Sequence, residues 1–173
     1  ALDAPAYFAR EGGAYADANG HDWQDNWRRF AALGRAGADL ASGGVKRQRF
    51  DVLHAHDWQA AMATAYLRFA PAKAKCVPPS VMTIHNMAFQ GYFPSAIFSR
   101  LGLPDSAWAI HGVEYHGGVG FLKAGLESAS AITTVSPSYA REIKTPEFGM
   151  GLDGLIVTHA DRVTGILNGI DNQ

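Results

Sequence analysis

The sequence predicts an α/β fold, a Rossmann-like parallel sheet flanked by helices. Short apolar segments alternate with segments of helical spacing along the 173 residues, which is the pattern of parallel strands joined by crossover helices. Each predicted strand also stops abruptly at polar residues. Four strands begin at Asp51, Ser80, Ala131 and Arg162, and their polar ends are His56-Asp57, His85-Asn86, Ser136-Pro137 and Asn168-Gly169.

The segments between these strands have the composition and spacing of helices. Asp25 is predicted to be the N-cap of the first helix, and Asp57 lies at the start of an alanine-rich second one. Residues 1–24 are predicted to form a loop with one helical turn. The aromatic segment 87–118 is predicted to be a long irregular loop with a functional role. Helices are predicted over 25–42, 58–69, 120–129, 136–143 and 153–160.

Composition and charge argue against several classes of function. The formal net charge is −1, from 15 basic and 16 acidic residues without a block of one sign, so we expect neither a nucleic-acid partner nor a membrane surface. The one cysteine, Cys76, cannot form an internal disulfide, which favours a reducing, cytoplasmic location. No apolar stretch approaches the ~20 residues of a membrane span. The chain begins without methionine, as a fragment would.

Asp57 and His85 are the candidate functional pair. Because parallel strands deliver their carboxyl ends to one edge of the sheet, the two residues are predicted to face one crevice. The alternatives are that Asp57 serves only as an N-cap and that His85 is a hydrogen-bonded core histidine. A dinucleotide site, a phosphate-binding loop and a nucleophilic serine elbow all lack their motifs.

A metal site is a further alternative, because four potential ligands lie at or near the ends of the first two strands. A metal needs three or four converging ligands. The run here is weaker than the HxHxDH run of metal hydrolases, because Asp57 directly follows His56 and no second histidine comes next. We therefore interpret the first histidine of the run, His54, as buried and hydrogen-bonded. The four residues of this alternative are His54, His56, Asp57 and His85.

Six segments, in order along the chain, resemble bacterial glycogen synthases and plant starch synthases. They are 54–58, 83–91, 121–125, 133–140, 147–154 and 165–171. The resemblance implies a two-domain GT-B glycosyltransferase that moves glucose from ADP-glucose to the non-reducing end of an α-1,4-glucan, with retention of configuration. It implies no cofactor, since lysine and arginine rather than a metal stabilise the diphosphate in such enzymes.

The resemblance also implies a domain assignment and four site residues. Residues 1–173 would be a partial N-terminal, acceptor-side Rossmann-like domain, with the first strands and the C-terminal donor domain absent. His85 matches the active-site histidine beside the transferred glucose, and Asp57 matches an aspartate of the same pocket. Tyr15 matches a substrate-binding tyrosine of the first loop, and Asn168 an asparagine near the interdomain cleft. The family's Lys-x-Gly-Gly-Leu loop is missing, and a glucan-binding module without catalysis is the second hypothesis.

Overall fold

The computed structural model describes residues 3–44, 49–71 and 77–169. Cys76 lies outside these ranges. The helices are α1 Pro5–Phe8, α2 Asn26–Ala41, α3 Asp57–Phe69, α4 Phe121–Ser128, α5 Pro137–Glu142, α6 Pro146–Gly149 and α7 Asp153–Thr158. The strands are β1 Leu53–His56, β2 Ser80–Ile84, β3 Tyr92–Pro94, β4 Glu114–Tyr115, β5 Gly118–Gly120, β6 Ala131–Thr134 and β7 Val163–Gly165.

The main sheet contains four parallel strands in the order β1-β2-β6-β7. Helices lie between successive strands in the chain, so the predicted Rossmann-like α/β fold is confirmed. The last strand is shorter than predicted, because Arg162 belongs to a 3-10 turn, Ala160–Arg162, and regular pairing ends at Gly165. Just beyond it, the Ile166 amide still donates to the carbonyl of Thr134 at 2.8 Å.

Helix α3 is the centre of the hydrophobic core, with α2 and α4 packed against it. Glycine permits both close approaches. A Cβ on Gly34 of α2 would lie 2.8 Å from the Ala63 nitrogen, and one on Gly125 of α4 would lie 2.7 Å from the Ala61 Cβ. The alternate residues of the strands that face this layer are fully buried and include Ala55, Met82 and Ile132.

The segment 87–118, predicted to be irregular, contains a second sheet. Strands β3, β5 and β4 pair antiparallel in that order, and two 3-10 turns, Ser95–Arg100 and Asp105–Ala107, lie between β3 and β4. Each strand has only two or three residues, which is too short for alternating hydrophobicity to be visible in the sequence. The one-turn helix α6 is likewise too short to show the helical period of hydrophobicity in the sequence.

The N-termini of the helices differ in how well the sequence predicted them. Ser136 caps α5 by accepting a hydrogen bond from the Tyr139 amide at 3.0 Å, with proline at the first turn as predicted. Asp25 does precede α2, but its side chain makes no capping bond. Both of its oxygens accept instead from Arg10, at 2.7 and 2.6 Å, so this ion pair ties the first loop to α2.

Candidate active site

The carboxyl ends of β1 and β2 bring Asp57 and His85 together. Asp57 Oδ1 accepts a hydrogen bond from the backbone N–H of His85 at 2.7 Å. The imidazole of His85 is exposed, and the carboxylate of Asp57 is half-buried. The predicted convergence of these two residues at one edge of the sheet is therefore observed.

Asp57 reaches this position through a strained backbone. It is the first residue of α3 and directly follows β1, with φ of +52°, in the left-handed region. A residue other than glycine pays about 1–3 kcal/mol in such conformations, and aspartate is among the more tolerant. The residue at the N-cap position is His56, so the interpretation of Asp57 as a simple N-cap is wrong. The sharp turn directs its carboxylate towards the end of β2.

Three histidines form a row across β1 and β2. His56 Nδ1 lies 3.0 Å from His85 Nε2, and their rings are stacked with centroids 5.3 Å apart. The ring of His54 lies 4.2 Å from that of His56. His54 Nε2 also contacts Thr83 Oγ1 at 2.6 Å, so it is hydrogen-bonded as predicted, but it is exposed rather than buried.

Burial is the main cause that lowers the pKa of His56 below its ordinary value. The charges of His54 and His85 act in the same direction, and the carboxylate of Asp57 opposes them. A lowered pKa keeps His56 neutral near pH 7, with one ring nitrogen as a donor and the other as an acceptor. Across the three described ranges, no group of three or more histidine, cysteine or acidic side chains is arranged to hold a metal ion.

Tyr15 lies in the wall of a cavity that also contains Asp57. The cavity has a volume of about 570 Å³ and lies between the first loop and the start of α3. The hydroxyl of Tyr15 accepts a hydrogen bond from Gln59 Nε2 at 2.8 Å, and its ring lies 6.1 Å from that of Trp58. The lining also includes Phe8, Arg10, Arg29, Phe30 and His56.

Asn168 lies apart from the other three predicted site residues. It follows the end of β7 by three residues, at the same edge of the sheet, and β7 is two strands away from β2. Its side chain is exposed. Within the part of the chain that the structure describes, no hydrogen bond joins it to Tyr15, Asp57 or His85.

Sequence reasoning considered His56 only as a possible metal ligand, and it did not single out Gln59 at all. The spacing of His54 and His56 showed that they share one face of the strand. The contact of His56 with His85, however, depends on the register that places His56 opposite Thr83. Gln59 meets Tyr15 across 44 residues of sequence, and no local pattern indicates such a contact.

Comparison with known proteins places this fold among GT-B-type glycosyltransferase domains. Residues 1–158 match the family of the starch synthase catalytic domain, and the chain belongs to this family. It is 69% identical over 170 residues to a glycogen synthase from Novosphingobium aromaticivorans and 60% identical over 170 residues to one from Mesorhizobium japonicum. Each alignment covers 98% of this chain and 35% of the relative.

A solved structure agrees with this assignment. The catalytic domain of Starch Synthase IV from Arabidopsis thaliana, bound to ADP and acarbose, superimposes with a TM-score of 0.81 at 29% sequence identity. The match covers 97% of this chain and 34% of that one. The resemblance noted in the sequence is thus confirmed, and the chain spans about a third of the length of the relatives it matches. No helix in the described ranges is long and apolar enough to span a membrane.

Proposed function

We propose that this chain is the acceptor-side part of a cytoplasmic enzyme that transfers glucose from ADP-glucose to the non-reducing end of an α-1,4-glucan, with retention of configuration. The observation that carries the proposal is the hydrogen-bonded pair of Asp57 and His85 at the carboxyl edge of the sheet. Membership of the starch synthase family supports the assignment of the reaction, and a starch synthase of similar fold binds ADP.

Asp57 and His85 would hold the hydroxyl groups of the transferred glucose. Since Asp57 Oδ1 is engaged by the His85 amide, the other carboxylate oxygen and the exposed imidazole are the groups that remain for a sugar. A carboxylate accepts and an imidazole donates or accepts, which matches hydroxyl groups. Holding the sugar in this way places its anomeric carbon against the acceptor and reduces the entropic part of the barrier.

The remaining predicted contacts concern the glucan and the rim of the site. We assign Tyr15, held by Gln59, to the wall of the sugar pocket, and Asn168 to the rim that faces a second domain. Two aromatic side chains close in sequence to His85 are well exposed, Phe89 at 62% and Tyr92 at 52%. Their ring faces are suited to stacking on a glucan chain.

The departing ADP needs nearby positive charge, and the arginines of the cavity are poorly placed to supply it. Two arginines line the cavity, but Arg10 is paired with Asp25. Arg29 is 4% exposed and donates to the carbonyls of Tyr7 and Ala14 and to Asn26. Both guanidinium groups are thus committed to the first loop. We therefore assign the lysine and arginine that stabilise the diphosphate to a C-terminal donor domain.

The main sheet supports the proposal that further strands precede β1. The connections from β1 to β2, from β2 to β6 and from β6 to β7 all move in the same direction along the sheet. Right-handed connections of this kind place their helices on the same face of the sheet. The opposite face carries the exposed His54 and His56, whereas parallel sheets are normally covered on both faces. An apolar groove of about 280 Å³ also follows the edge of β1, lined in part by the exposed side chains Leu33, Leu40, Phe50 and Val52.

The proposal is tested with the full-length protein and labelled ADP-glucose. We expect glucose to be incorporated into glycogen, and His85→Ala to lower kcat by roughly 10²–10³, the cost of losing a transition-state contact, with a smaller change in glucan affinity. Glucan binding without incorporation would indicate a binding module instead. Near-normal kcat in His85→Ala would contradict the role assigned to the histidine.

A further inference from the structure

The contact between His56 and His85 limits how His85 can meet a ligand. The 3.0 Å separation of His56 Nδ1 and His85 Nε2 requires one nitrogen to donate and the other to accept. Nε2 of His85 is thereby engaged within the protein. Only Nδ1 of His85 remains for a bound sugar.

The surroundings of His56 hold its ring in place. Its ring is in tilted contact with that of His54, at 4.2 Å between centroids, and Nε2 of His54 is held by Thr83 Oγ1 at 2.6 Å. Thr83 Oγ1 in turn lies 2.6 Å from Thr133 Oγ1, so the row is anchored in the middle of the sheet. The backbone of His56 belongs to β1, opposite Thr83. His85, by contrast, lies just beyond the end of β2, outside the regular strand.

Resting on the proposed function, we propose that His56 is a positioning residue that fixes the orientation of the His85 ring, so that Nδ1 of His85 faces the sugar. The contact is made through Nδ1 of His56, and an asparagine side chain places a nitrogen or an oxygen close to that position. Phenylalanine keeps the stacking on His54 but cannot form the hydrogen bond. The two substitutions therefore separate hydrogen bonding from packing.

The test compares His56→Phe and His56→Asn in the full-length protein, with His111→Phe as a matched control at a remote side chain that is 75% exposed. We expect His56→Phe to lower kcat about tenfold, with KM for the glucan within about twofold of wild type. His56→Asn should keep kcat within about threefold, and the control should be unchanged. The expected changes in kcat correspond to the loss of one hydrogen bond in His56→Phe and its retention in His56→Asn.

A second readout is independent of activity. The imidazole ¹⁵N shift of His85 Nε2, assigned with His85→Gln, should be that of a hydrogen-bonded nitrogen in wild type and in His56→Asn, and it should move in His56→Phe. Equal kcat in wild type and His56→Phe, equal losses in both variants, or an unchanged Nε2 shift in His56→Phe would each overturn the inference. Absence of transfer by the wild-type protein would contradict the proposed function instead, while the ¹⁵N measurement would still test the pair.

Discussion

The carboxylate of Asp57 and the backbone N–H of His85 are joined by a hydrogen bond of 2.7 Å, which ties the end of β1 to the end of β2. The bond depends on the left-handed backbone of Asp57, at φ of +52°. A residue that is strained and at the same time aimed at a neighbouring strand end is typical of functional sites. Because of this geometry, substitutions of Asp57 can distinguish its structural role from its catalytic role.

Asp57→Asn should leave the fold almost intact and lower turnover. Asparagine tolerates the left-handed region and retains an acceptor for the His85 amide, so the melting temperature should change little. The negative charge is lost, and we expect kcat to fall at least tenfold. Asp57→Ala loses the acceptor as well and should destabilise the protein by about 1–2 kcal/mol. Thermal unfolding and glucose incorporation of both variants are the measurements. Equal melting temperatures of Asp57→Asn and Asp57→Ala would contradict the structural role of the hydrogen bond.

The pKa of His56 predicts how stability depends on pH. Burial and the charges of His54 and His85, opposed by Asp57, lower this pKa below its ordinary value of 6.5. As the pH falls below about 6.5, the unfolded chain takes up a proton at His56 that the folded chain does not, so the free energy of unfolding decreases. Above that pH His56 is neutral in both states and does not affect the free energy of unfolding. The loss of stability therefore occurs between the ordinary pKa of histidine and the lower pKa of His56 in the folded protein.

His56→Asn removes this titrating group. Unfolding of the full-length protein, followed at pH 7.5 and pH 5.5, should show a smaller loss of stability on acidification in the variant than in wild type. Because both proteins share every other titrating residue, the difference between their two slopes reports His56 together with its coupling to His54, His85 and Asp57. Parallel slopes would show that the folded protein does not disfavour the charged form of this histidine.

The close packing of α3 and α4 predicts the effect of adding one methyl group. A Cβ on Gly125 would lie 2.7 Å from the Ala61 Cβ and 3.1 Å from its Cα, so the helices would have to separate. Gly125→Ala should therefore destabilise the protein by about 1–3 kcal/mol. Gly154→Ala is the matched control, since a Cβ there has no neighbour within 4 Å and the site is helical. The control should be neutral or slightly stabilising in thermal unfolding, and equal effects of the two substitutions would refute the packing argument.

The sequence predicted the elements whose signal is local. Strand β2 and the start of α5 were recognisable because an apolar β-branched run and a Ser-Pro pair are themselves the cause of the local structure. The positive φ of Asp57 was not, since aspartate before a helix ordinarily predicts a cap. Asp25 shows the same limit, because a distant arginine, Arg10, competes successfully for its carboxylate.

The site was predictable in its location and not in its contacts. The rule that parallel strands end at one edge was enough to place Asp57 and His85 together. The pairing of His56 with His85 required the register of two strands, and a slip of one residue would have turned His56 to the other face. A contact that depends on strand register, such as this one, can therefore be found only from the structure.

The last prediction concerns residues 1–173 expressed alone, which should not transfer glucose from ADP-glucose to glycogen even at high protein concentration. The two arginines that line the cavity, Arg10 and Arg29, are committed to the first loop and α2. The departing diphosphate would develop its charge in water, and the electrostatic term that usually dominates catalysis would be lost.

The open sheet adds a second reason for this inactivity. None of the residues that the structure describes covers the edge of β1 and its apolar groove, which favours association of the isolated chain with itself. Glucose incorporation should be assayed for this fragment beside the full-length protein at equal molar concentration. Adding a purified donor domain should restore at most a trace of activity, because association entropy opposes assembly of the site. Robust turnover by residues 1–173 alone would show that the groups stabilising the diphosphate lie within this chain, and the assignment of these groups to a donor domain would then be wrong.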